Sequence, residues 1–266
     1  MTRPTRTLTS AAALGLLAAT AIASPALAKP SPVVYDALGD SYASGYGVPP
    51  YEGGQCARSD AAYAVQIDGR MKIDLDDFAA CAGATTDTLE TGQLDALDED
   101  TDLVTVSVGG NDIGWSLAVG ACLLGTDELC TDALAATTTA IQYVLPDLLR
   151  DTYDMIDAEA PDAHVVVTGY PRLFSPEYGD YFNASPAEQQ AMNDGADLLN
   201  DVMAGVAGEY GFQFVDVTKR FDDHGVNAPE PWILGLTDPG LFHPNLQGYR
   251  AYSAALTAAI NPRDLR

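Results

Sequence analysis

The chain has few basic side chains. Thirteen lysines and arginines stand against 38 aspartates and glutamates, giving a net charge of −25 with histidine counted as neutral. Such a balance repels phosphate backbones and anionic bilayers, and so argues against nucleic acid as a partner. Histidine is scarce, with only His164, His224 and His243, and the four cysteines are Cys56, Cys81, Cys122 and Cys130. No C-x-x-C pair occurs and no histidine adjoins a cysteine, so the sequence offers no metal site of the zinc type. P-loop, dinucleotide and zinc-protease patterns are missing, which leaves no cofactor implied. The G-x-S-x-G elbow of ordinary α/β hydrolases is missing too. No low-complexity linker or internal repeat divides the chain, and one α/β domain of this length is ordinary.

What is present begins with Arg3 and Arg6, an apolar stretch over 11–22, and Ala26-Leu27-Ala28. That order predicts a signal peptide over 1–28, a single domain over 29–266, and secretion. The stretch is short for a bilayer of about 30 Å, so no membrane anchor is expected after its removal. Loss of the two arginines would take the net charge from −25 to −27. An even number of cysteines in an exported chain points to disulfides. Among the possible pairings, Cys56 with Cys81 and Cys122 with Cys130 close short loops and are expected, each adding about 2 to 4 kcal/mol.

Runs of branched and aromatic residues over 33–38, 103–108, 164–168 and 212–217 read as buried strands. Helical patterns separate them, and that alternation predicts a parallel sheet covered on both faces. A helix is expected over 131–160 with a kink at Pro146. Another opens at "SPAE", where Ser185 caps, Pro186 takes the first position and Glu188 completes a capping box, and it ends before Gly211. Further helices are expected over 245–260 and, more weakly patterned, over 61–71. The Pro- and Gly-rich loop 45–54 belongs on the surface, bordering a cleft. The acidic stretch 95–102 lacks the ligand spacing of a calcium loop and reads as solvated.

Ligands of open α/β sheets bind beyond the carboxyl ends of strands. "GDSYASG" with Ser41, "CAGATT" with Gly83, and "GGND" with Asn111 fall at or between such ends. An acyl-transfer serine needs a base, and histidine, with an ordinary pKa of about 6.5, is the usual one. His164 opens an apolar strand and reads as structural; His224 lies in an acidic loop, where a carboxylate can pair with it. His243, in "LFHPNLQGY" before the last helix, can project over the cleft. Asp40 and Asp112 are expected to order turns.

Taken together and in this order, "GDSYASG", "CAGATT", "GGND" and "HPN" resemble the blocks of the SGNH hydrolases, the GDSL lipases and esterases. "VVVTGYPRL" brings the likeness closest to secreted bacterial lipases and phospholipases. The resemblance implies a three-layer α/β/α sandwich on a mostly parallel five-stranded sheet that hydrolyses ester or lipid substrates; a monomer is expected. It implies Ser41 as nucleophile, His243 as base, and an oxyanion hole of the Ser41 and Gly83 amides with the Asn111 side chain. A phospholipase A or an acetyl-polysaccharide esterase could use the same site. A binding domain without catalysis is the other class, disfavoured by Ser41, Asn111 and His243 standing together. Many members carry an aspartate three residues before the histidine; here Gly240 stands there. A backbone carbonyl, that of Gly240 or Leu241, is therefore expected to orient His243, with Asp238 as the alternative.

Overall fold

The computed structural model describes residues 31–265, together with Met1 and Thr2. The expected export segment, 1–28, falls outside the described residues but for those first two. The chain runs β1 (Val33–Gly39), α1 (Ser41–Ser44), α2 (Tyr63–Ile67), β2 (Ile73–Phe78), α3 (Thr86–Gly92) and β3 (Leu103–Ser107). It continues through α4 (Trp115–Leu124), α5 (Asp127–Tyr143), α6 (Leu145–Glu159), β4 (His164–Thr168), α7 (Pro186–Glu209), β5 (Gln213–Val215) and α8 (Leu246–Ala259).

The strands form one sheet in the order β2-β1-β3-β4-β5, and every neighbouring pair is parallel. Alternation along the strands sends their side chains into two cores, one on each face. Tyr35, Leu103 and Val166 pack with Tyr63 and Ile67 of α2 and Tyr252 and Leu256 of α8. Val104, Val106, Val165 and Val167 pack with Leu149, Tyr153 and Ile156 of α6 and Leu199 and Met203 of α7. This is the expected three-layer sandwich. Burying each valine or leucine of these layers contributes about 1.5 to 3 kcal/mol.

The expected strand over 212–217 is shorter, Gln213–Val215. β2 escaped the sequence reading because its "IDLDDF" carries three aspartates; as an edge strand it leaves much of itself in water. The helix expected over 131–160 is two helices. α5 starts earlier, capped by Thr126, and stops at Val144; α6 then begins with Pro146 in its first turn. Proline cannot donate to the carbonyl four residues back and its ring collides with it, so the chain breaks ahead of Pro146 rather than bending at it. The helix expected over 61–71 shrinks to Tyr63–Ile67, because Gly69, Met71 and Lys72 have left-handed backbones that turn the chain into β2. α3 and α4 were not foreseen. α7 follows its expected signals, with the Ser185–Glu188 capping box formed and Gly211 at φ +73° just beyond its end.

Disulfides join Cys56 to Cys81 and Cys122 to Cys130. The first ties the surface loop after α1 to the loop between β2 and α3. The second clamps α4 onto the start of α5.

Candidate active site

Ser41 sits at the carboxyl end of β1, where the chain turns sharply into α1. Gly39 makes that turn possible: its φ is +129°, and a β-carbon would lie 2.5 Å from the Ser107 carbonyl oxygen. Gln93 fixes the same residue from both sides, donating to the Gly39 carbonyl at 2.9 Å and accepting from its N–H at 2.8 Å. Asp40 caps α1 by accepting from the Tyr42 N–H, and its other oxygen accepts from the Tyr170 hydroxyl at 2.6 Å. Burial pushes the Asp40 carboxyl up to about 7, against the pull of the bonds from Tyr170 and Tyr42.

His243 comes from the other end of the chain. Asn245, two residues on, caps α8 through the Gln247 and Gly248 N–H groups at 3.0 and 3.1 Å. The histidine therefore lies just before a fixed helix start, and its ring reaches back to β1. Nε2 stands 2.7 Å from the Ser41 Oγ. Nδ1 stands 2.8 Å from the Leu241 carbonyl oxygen, so it carries the proton and leaves Nε2 free to accept. Tyr42 and Tyr46 flank the imidazole, each with its ring centre 4.9 Å away. Desolvation between them pushes the His243 pKa down to about 4, outweighing the carbonyls of Leu241 and Gly240.

The structure places Leu241, not Gly240, at the ring nitrogen; the Gly240 carbonyl accepts instead from the His243 backbone N–H at 3.0 Å. Asp238 is turned away, accepting from the Gly235 N–H at 2.7 Å. Packing explains why no aspartate stands at position 240. A β-carbon there would come 2.4 Å from the Gly47 α-carbon and 2.8 Å from Leu234 Cδ1, leaving no room for a side chain. The Tyr42 hydroxyl donates to the Phe242 carbonyl, holding the tight loop, at φ +60°, that aims the Leu241 carbonyl.

The "GGND" turn follows β3. Asn111 donates through Nδ2 to the Ala84 carbonyl at 2.8 Å, which sets its side chain against the loop carrying Gly83 and leaves one N–H of the amide group over. Around Gly83, Ala82 donates to Cys56 and Ala84 to Cys81, both at 3.0 Å; the Gly83 N–H has no acceptor among the described residues. Asp112 accepts from the Thr86 hydroxyl at 2.6 Å and from its N–H, locking the two loops together. Tyr170 joins the serine turn to the "GGND" turn, since its hydroxyl also accepts from the Gly110 N–H at 3.3 Å. The other histidines lie elsewhere. His164 pairs with Gln213 at 2.8 Å. His224 meets the Glu230 backbone carbonyl and stacks on Trp232 rather than pairing with a carboxylate.

A cavity of about 280 Å³ opens beside Ser41 and His243, walled mainly by apolar groups including Trp115, Val119, Leu173 and Leu199. Set against the roughly 30 Å³ that a water occupies in the liquid, it has room for a chain of several carbons. Trp115 sits closely on α7 because Gly195 is there: a β-carbon would be 2.9 Å from the indole.

The pattern of the GDSL-like Lipase/Acylhydrolase family matches residues 37–251, from β1 into α8. The chain belongs to that family. As a member it is a carboxylic ester hydrolase. A lipase of Streptomyces rimosus is 35% identical over 266 residues, spanning 97% of this chain and 99% of the relative. Lipase 1 of Streptomyces coelicolor is 36% identical over 220 residues, spanning 80% and 81%. Among solved structures, the extracellular lipase of Streptomyces rimosus superposes with a TM-score of 0.82 at 35% identity, covering 86% of this chain and all of that one. Phospholipase A1 of Streptomyces albidoflavus NA297 does so with 0.81 at 31% identity, with the same coverage.

Three features of this family member were not read from sequence. Tyr170 could have been flagged, since it follows β4 at a strand end. Tyr42 stood inside a quoted motif, but nothing marked its hydroxyl as a loop anchor. Gln93 carried no signal, because its partner is backbone.

Proposed function

We propose that the chain is exported and hydrolyses carboxylic esters of lipids through an acyl-enzyme on Ser41. His243 is the base, the Leu241 carbonyl its orienter, and the Ser41 and Gly83 amides with the Asn111 side chain form the oxyanion hole. The observation that carries this reading is the 2.7 Å approach of His243 Nε2 to Ser41 Oγ at the mouth of an apolar cavity. As Oγ bonds the ester carbonyl carbon, Nε2 takes its proton and the oxyanion turns towards the three donors. Collapse breaks the bond to the alcohol, which leaves with the proton from His243. Water, deprotonated by the same nitrogen, then releases the acid. Without a buried carboxylate the imidazolium has less support, and the carbonyl mainly fixes the tautomer.

The apolar cavity favours an acyl chain over acetyl. Phospholipid is the second substrate class, a reading supported by the phospholipase A1 likeness. Export fits two disulfides. It also fits the extracellular lipase among the relatives. Among the described residues no helix is long and apolar enough to cross a membrane.

An activated phosphonate ester tests the reading directly. The wild-type protein is expected to gain one phosphonyl adduct on the peptide bearing Ser41, by mass spectrometry, and Ser41→Ala none; an unlabelled wild type would overturn the assignment. The pH profile gives a second check. His243 works as a base only when neutral, and its pKa is pushed down to about 4, so kcat/KM should hold through pH 5 and fall as pH drops through about 4. A limb near 6.5, the ordinary histidine value, would contradict the desolvated ring. Finally, Asp238→Asn should leave kcat/KM nearly unchanged, because that carboxylate serves the Gly235 turn. A loss of about a hundredfold or more in a folded variant would hand Asp238 the orienting role.

A further inference from the structure

Charge is distributed unevenly along this acidic chain. The segments 41–51, 113–126, 133–146 and 239–249 contain no lysine, arginine, aspartate or glutamate, although 13 basic and 38 acidic residues occupy the rest. Three of these segments line the catalytic cavity, and the fourth ends beside the "GGND" turn. Segment 41–51 brings Ser41 and Tyr46, 113–126 brings Trp115 and Val119, and 239–249 brings Leu241 and His243. Segment 133–146 ends at the joint between α5 and α6, which stands over the "GGND" turn: Leu145 Cδ1 lies 3.0 Å from where a Gly109 β-carbon would be.

Large apolar side chains project into water from these segments. Leu117 is 78% exposed, Tyr143 75%, Val144 50% and Leu241 43%. Leu117 belongs to the first turn of α4, on the side turned away from Trp115 and Val119, which wall the cavity. Helix α4 has no charged residue on any side, which a helix facing only water does not maintain. Exposed apolar groups gathered around a site mark an interaction surface.

Resting on the ester hydrolase reading above, we infer that this uncharged rim seats the enzyme on a zwitterionic or uncharged lipid surface, so that the cavity mouth opens onto the aggregate holding the substrate. The occupant follows from continuity and charge. The inner side of α4 walls a cavity with room for an acyl chain, its outer side carries the exposed Leu117, and acyl chains reside in lipid aggregates. The acidic remainder of the molecule repels anionic headgroups, which selects against negatively charged bilayers.

The test uses the exported protein, phosphatidylcholine vesicles, and vesicles of the same size made of phosphatidylglycerol. Wild-type protein should co-sediment with phosphatidylcholine, and less with phosphatidylglycerol at low salt, the gap closing as salt rises. The double variant L117D/V144D should bind phosphatidylcholine at least about tenfold less, since charge opposes entry into the interface. Its hydrolysis of a soluble butyrate ester, below any aggregation threshold, should stay within about twofold, because neither side chain lines the cavity; that activity also reports folding. A neutral pair, L117Q/Y143Q, should show the same separation with a smaller loss. Leu129→Asp, at a site 56% exposed beside Asp127 and Glu128, should change neither.

Unaltered vesicle binding by L117D/V144D would overturn the inference. So would tighter binding to phosphatidylglycerol, an equal loss from Leu129→Asp, or a dimer abolished by L117D/V144D in a protein that ignores vesicles. Failure of the wild type to hydrolyse the soluble ester would instead count against the catalytic reading, whatever the vesicles show.

Discussion

His243→Gln is expected to lower kcat by about 10⁴- to 10⁶-fold, the range seen when a base that acts as a unit with its nucleophile is removed. The reason is geometric. In the described structure one imidazole meets the Ser41 Oγ, and the nearest carboxylate, Asp40, is committed to Tyr42 and Tyr170. Among the described residues no other side chain makes a hydrogen bond to the Ser41 Oγ. KM should change little, because the apolar cavity that would hold the acyl chain is intact.

The same variant has a second signature that a misfolded protein would not show. In the wild type, folding pushes the His243 pKa from about 6.5 down to about 4. Between these values the unfolded chain binds the proton and the native one does not, so His243 lowers stability progressively as pH falls through that window and has no such effect above it. His243→Gln removes that penalty. Relative to wild type, its melting temperature should therefore rise as pH is lowered from about 6.5 to about 4. Near-wild-type kcat would remove His243 from catalysis; an unchanged difference in melting temperature across the window would show that the ring is not desolvated.

Asn111→Ala is expected to cost about 100- to 1000-fold in kcat, the usual effect of losing one oxyanion donor. One hydrogen of its amide group is held by the Ala84 carbonyl, which sets the direction of the other. That preorganisation is why the loss should fall on kcat much more than on KM: the oxygen it would serve belongs to a neutral ester carbonyl in the bound substrate and gains negative charge only towards the transition state. Replacement by Asp makes a sharper comparison, since it keeps the size but substitutes a charged acceptor for the donor. Asn111→Asp should be at least as impaired as Asn111→Ala, and equal activity of either with wild type would take Asn111 out of the site.

Several features of the site were legible before any coordinates. The glycines on either side of Asp40-Ser41, the "GGND" turn after an apolar strand and the histidine before a cappable helix each have a local physical meaning. Parallel α/β topology then brings strand ends to one edge. Other features were hidden for equally physical reasons. β2 was obscured by its three aspartates, which an edge strand leaves in water. α3 and α4 escaped because "TDTLETG" is short and "WSLAVGACLL" is apolar all round, so neither shows a stripe.

The amino-acid sequence by itself named the candidate hydroxyl, imidazole and amide, and it offers no zinc-type motif beside them. Tertiary structure alone decided what holds the imidazole. Gly240 packs against Gly47 too closely for an aspartate, and the loop that results turns the Leu241 carbonyl onto Nδ1. Every residue carries such a carbonyl, so its identity as an acceptor leaves no mark in the sequence; only the path of the chain through space selects one.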